Sequence, residues 1–100
     1  MMKIPTPKIS EILAEDFMKP FGLSAYALSK QLGIPTSRIQ DILHDRRKVT
    51  VDTSIRLGRF FNVSPRYFLN LQNDLDMREA EERSHDEYDK IVPLETVTQA

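Results

Sequence analysis

One hundred residues, 40% of them hydrophobic and carrying a net charge of −1, describe a single small domain with one modest core. The absence of cysteine excludes disulfides and thiolate metal sites, and no apolar run approaches the roughly 18–20 residues of a membrane-spanning helix. The opening MMKIPTPKIS lacks the apolar core and small-residue cleavage site of a signal peptide, so a reducing cytoplasm is the expected location.

Along the chain, punctuation for five helices is clear. Thr6-Pro7 offers a cap followed by proline in the first turn, and Ile9, Ile12, Leu13 and Phe17 then recur at helical spacing in a first helix expected to end before Pro20. Ser24 caps a second helix whose Ala27, Leu28 and Leu32 face inward, and Gly33 supplies a tight turn. Pro35 stands near the start of a third helix, where Ile39, Ile42 and Leu43 form one buried stripe. Thr50 or Asp52 opens a fourth, with Ile55, Leu57, Phe60 and Phe61, a Gly58 that allows close helix contact, and a left-handed stop at Asn62. Ser64-Pro65 starts a fifth by the same cap-plus-proline device, with Tyr67, Phe68, Leu71 and Leu75 along its apolar side. The Phe and Tyr residues of these last two helices are expected in the core, with Tyr67 and Phe68 open to sharing with a partner.

Beyond Asn73 the character changes. Residues 1–73 hold eleven Lys/Arg against six Asp/Glu, a charge of +5, and residues 74–100 hold three against nine, a charge of −6. A basic folded part suits a polyanion, while an acidic end suits a basic partner or serves only solubility. Asp74–Lys90 is dense in charge and weakly periodic, which fits a continued or separate exposed helix, and IVPLETVTQA is broken by Pro93 and carries no signature. With no repeat or strand-like alternation, the expectation is an all-α domain over residues 1–73 and an acidic, helical C-terminal extension over residues 74–100.

The chemistry lies on the third helix. At about 100° per residue the side opposite its buried stripe centres on Ser37, Asp41 and His44, flanked by Thr36, Arg38 and Gln40. A helix fits the DNA major groove, where Arg bridges guanine acceptors, Gln pairs with adenine, and Ser or Thr contacts several bases. Asp41 repels phosphate and accepts only from donors such as cytosine N4–H₂, a filter rather than an anchor. Arg46-Arg47-Lys48, just past the helix, offers three cations for phosphates, and the helix N-terminus at Ser24 adds N–H groups. Alone, each feature is more often an ordinary solvated face or surface charge; joined to the Gly33 turn and five helices, they point to DNA. A competing enzyme reading, a metal hydrolase using Asp41, His44, Asp45 and His85, lacks HExxH-like spacing and a third clustered ligand. No cofactor or metal is expected.

The stretch from Phe21 to Arg78 resembles the HigA-type antitoxins, the helix-turn-helix partners of HigB toxins within the XRE, lambda-repressor-like group. The resemblance covers about residues 5–80. It rests on the block Lys19-Pro20-Phe21-Gly22-Leu23-Ser24, the IPTSRI turn, Asp52-Thr53 followed by Arg56-Leu57, and Ser64-Pro65 followed by Tyr67-Phe68-Leu69-Asn70-Leu71-Gln72. It implies a homodimer that represses its own operon and a toxin that is a small, basic, messenger-cleaving ribonuclease. In related repressors base contacts come from the start and outer face of the recognition helix, which transfers to Thr36, Ser37 and Asp41. The opening PTPKISEIL lacks the Pro-Gly-Glu often found before the first helix, and Asp41 leaves the operator sequence open. The expected function is a non-enzymatic antitoxin and autorepressor on a palindromic operator, with a free-standing repressor as the alternative. Tyr67, Leu71 and Leu75 are the candidate dimer or toxin interface, and Asp74–Asp89 a candidate toxin contact by charge.

Overall fold

Capping chemistry sets most of the helix boundaries. The computed structural model describes residues 5–95, and within them the chain forms α1 (Ile9–Ile12), α2 (Ala25–Leu32), α3 (Thr36–Leu43), α4 (Val51–Phe61) and α5 (Tyr67–Asp89), with no strand. Ser24 and Thr50 cap α2 and α4, their hydroxyls accepting from the backbone N–H groups of Ala27 and Thr53 at 3.0 and 3.3 Å. Four segments close on a left-handed residue: Gly22, Gly33, Asp45 and Asn62, at φ 63°, 69°, 60° and 58°. In each case the next N–H reaches back five positions: Leu23 to Met18, Ile34 to Ser29, Arg46 to Asp41 and Val63 to Gly58, at 3.0, 3.1, 2.7 and 2.9 Å. This closure satisfies carbonyls that the helix ends would otherwise leave unpaired.

Two expected boundaries move. α1 begins at Ile9, after Thr6-Pro7, with Lys8 as the cap residue donating its N–H to Glu11 Oε1 at 3.2 Å. The segment then passes through Pro20 instead of stopping before it, as a π-turn over Leu13–Met18 and a 3₁₀ turn over Lys19–Phe21. Pro20 has no N–H for the Asp16 carbonyl, so the regular ladder cannot continue and the wider and tighter turns carry the chain to Gly22. Likewise Ser64-Pro65 opens a turn rather than a helix. Ser64 Oγ accepts from Arg66 N–H at 3.1 Å, and α5 starts at Tyr67.

Leu13, Leu28, Ile39, Leu57 and Phe68 have no exposed surface and form the centre of the core, joined by Ile42 and Val49. Phe68 lies 4.8 Å from the Phe17 ring and 6.1 Å from Phe61, centroid to centroid. It is therefore a core residue with nothing to share. The expectation of a buried aromatic set holds only in part, since Phe60 is 37% and Tyr67 39% exposed. Gly58 permits α4 to meet the start of α5: a Cβ there would stand 2.6 Å from the Ser64 carbonyl oxygen. Ser54 fastens the same junction, donating to Pro65 O at 2.8 Å and accepting from Leu69 N–H at 3.0 Å.

α5 runs 23 residues with a non-helical Ser84. The charge boundary between residues 73 and 74 falls inside it, and Leu75, on the acidic side, is buried. Among the described residues no helix is long and apolar enough to cross a membrane. Of IVPLETVTQA, residues 91–95 form no regular element and the rest lies outside the described residues.

Candidate nucleic-acid interface

α2, the Gly33 turn and α3 make a helix-turn-helix whose geometry is fixed from beneath and from the side. Beneath, Ile39 and Ile42 of α3 pack with Leu28 and Leu32 of α2. At the side, buried Ser29 donates to Tyr26 O at 2.7 Å, which uses its only proton, so Thr36 is the donor in the 2.8 Å Ser29–Thr36 hydroxyl contact. Arg56 of α4 donates through Nη1 to Leu32 O at 2.8 Å, satisfying the end of α2, and through Nε to Asp52 at 2.9 Å. Arg38 reaches the same Asp52 carboxylate at 3.6 Å. Both thereby tie α4 to the helix-turn-helix.

These contacts sort the residues expected to meet DNA. Ser37 is exposed and Gln40 half-buried, and neither side chain has a partner among the described residues. Thr36 and Arg38 are engaged inside the chain, Thr36 with Ser29 and Arg38 with Asp52. His44 Nδ1 lies 2.8 Å from Gln40 O, which requires the proton on Nδ1 and leaves Nε2 outward. Asp41 binds Arg46 Nε at 3.0 Å, so its carboxylate is neutralised at the surface by a member of the basic cluster. Ser24 is exposed and its hydroxyl serves as the α2 cap.

The basic run is less free than its sequence suggests. Arg46 is paired with Asp41, and Lys48 Nζ donates to Asp76 of α5 at 2.8 Å. Arg47 is exposed, and no side-chain partner meets it among the described residues. Beneath the run, Val49 is clamped by buried Gln72, whose Oε1 accepts from Val49 N–H at 2.7 Å while its Nε2 donates to Val49 O at 2.9 Å. Both ends of the amide are satisfied, as a side chain only 4% exposed requires. The sequence places Asp76 only within the acidic stretch suited to a toxin and gives Gln72 no site role. The visible signal was a lone glutamine among apolar positions of the fifth helix.

Asp45 closes α3 and accepts from Ser10 Oγ at 2.7 Å, with Lys8 at 3.7 Å, which ties α1 to the end of α3. His85 pairs with Asp89 far along α5, at 3.1 Å. Among the described residues no three His, Cys, Asp or Glu side chains are placed to hold a metal ion. Of the three candidate interface residues, Tyr67 is exposed and Leu71 half-buried, whereas Leu75 is 7% exposed, at the floor of a groove that Pro7 and Ile9 also line.

A short helical domain with one helix braced against its neighbours and a polar face turned outward defines the helix-turn-helix class. A family model described as helix-turn-helix matches residues 15–68. Virulence-associated protein I of Dichelobacter nodosus is 39% identical over 94 residues, 94% of this chain and 86% of its own. An addiction module antidote protein of the HigA family from Coxiella burnetii is 36% identical, with a TM-score of 0.80 over 90% of this chain and 99% of its own. Antitoxin HigA of Pseudomonas aeruginosa, solved with the higBA promoter, is 30% identical with a TM-score of 0.80 over 90% and 99% of the two chains. This chain belongs to the helix-turn-helix family and, within it, to the HigA-type antitoxins.

Proposed function

We propose that this chain is a cytoplasmic, non-enzymatic antitoxin that represses its own operon and neutralises a HigB-type, messenger-cleaving toxin. The observation that carries this reading is the outer face of α3, where Ser37 and Gln40 stand unpartnered among the described residues, with Arg47 exposed in the loop that follows. The relative from Pseudomonas aeruginosa, solved with the higBA promoter, supports operator DNA as the ligand.

In this reading α3 enters the major groove. Ser37 and Gln40 contact base edges, and Asp41, held by Arg46, rejects pairs that offer it no donor. Arg47 and the N–H groups at the start of α2 near Ser24 meet phosphates, while Thr36, Arg38 and His44 set the pose of α3 at the groove. One recognition helix is a small footprint, so two copies on a palindrome with half-sites about one turn, roughly 34 Å, apart complete the site. Tyr67 and Leu71 are the interface candidates with surface left to offer. The acidic stretch Asp74–Asp89 suits a basic toxin.

Co-expression with the product of the adjacent reading frame, followed by size-exclusion chromatography and a promoter shift assay, tests the whole reading. Co-elution with a small basic protein and retardation of the promoter are the expected results. Promoter binding without co-elution would leave a free-standing repressor.

A further inference from the structure

Lys48 and Asp76 are 28 positions apart in sequence yet meet at 2.8 Å. Two exposed side chains on unconnected surfaces would meet only transiently. Here the backbone beneath them is fixed, because Gln72, one turn before Asp76 on the same face of α5, holds both polar groups of Val49, the residue after Lys48. The groove between this loop and α5 brings the cations Lys8, Arg46, Arg47 and Lys48 together with the carboxylates of Asp45, Asp76 and Glu79, and Arg47 is the one given to phosphate in the reading above.

We infer that Asp76 is an internal competitor for DNA, an oxyanion built into α5 that occupies Lys48 and lowers affinity for every duplex without altering sequence preference. A carboxylate and a phosphodiester bind an ammonium group through the same charge-assisted hydrogen bonds, so phosphate gains Lys48 only as Asp76 releases it. The inference rests on the DNA-binding reading and adds to it an affinity-setting residue outside the helix-turn-helix.

The test is a double-mutant cycle on the full-length chain, with Asp86→Asn as a control that removes the same charge farther along α5. Binding to the chain's own promoter and to a scrambled duplex is measured at low salt. Asp76→Asn should tighten both by about three- to tenfold, more than Asp86→Asn does, with the promoter-to-scrambled ratio unchanged. In a Lys48→Ala background the excess over Asp86→Asn should vanish. An excess that survives Lys48→Ala, or equal effects of the two asparagine variants, would overturn the inference while leaving DNA binding in place. A wild-type chain that retards neither duplex would overturn both.

Discussion

Eight-residue α3 rests on fully buried Ile39 and nearly buried Ile42, and its Thr36, Arg38 and Asp41 side chains are each fixed by a named partner. From Met77 to Asp89, α5 buries none of its side chains, and the side-chain pairs shown there, Arg83 with Glu79 and His85 with Asp89, join residues one turn apart within the helix itself. Both surfaces are polar, yet only on α3 does a buried stripe give the outward groups a fixed frame. Base recognition needs such a frame, because hydrogen bonds to base edges tolerate little displacement. A charged field does not, and the outer part of α5 supplies a field.

That contrast can be broken or sharpened by substitution. The largest effect belongs to the shared support: Phe68→Ala should cost about 3–5 kcal/mol in denaturant unfolding, since a fully buried ring would leave a cavity beneath α4 and α5. Gln72→Ala should cost about 1–3 kcal/mol for each Val49 group it strands, and should loosen amide-exchange protection at Val49 while leaving that of α2 largely unchanged. Arg47→Ala should weaken promoter and scrambled duplexes alike and lower the slope of log affinity against log salt by about 0.9, the share of one phosphate contact. Arg46→Ala should change that slope less, because Arg46 is already paired with Asp41. Smallest of all, a stop after Arg83 should move unfolding free energy by no more than about 0.5 kcal/mol, as changes away from buried features do. A large loss there would show that the outer part of α5 is a supported element after all.

Local chemistry was legible in the sequence and distant pairing was not. Ser24, Gly33, Thr50 and Asn62 each act within a few residues of themselves, and the structure places their caps and turns where the sequence indicated. The buried stripe of α3 follows from periodicity alone. Pro20 predicts a stop by sequence, yet a change of helical pitch also accommodates its missing N–H and carries the chain through. Asp45 carries no clear sequence signal of a left-handed closure, a role that aspartate fills less often than glycine or asparagine. Arg46-Arg47-Lys48 read as three available cations, since sequence spacing cannot show that Asp76, on another helix, meets Lys48. The same holds for Gln72, whose partner Val49 lies 23 residues away.

The central claim, that α3 reads DNA sequence, is tested most directly by the ratio of affinities for the chain's own promoter and a scrambled duplex, measured for wild type, Ser37→Ala and Gln40→Ala. Each substitution should lower the ratio by an amount worth about 1–3 kcal/mol while affinity for scrambled DNA stays close to wild type. A ratio unchanged in both variants would contradict the account and remove α3 from the reading role.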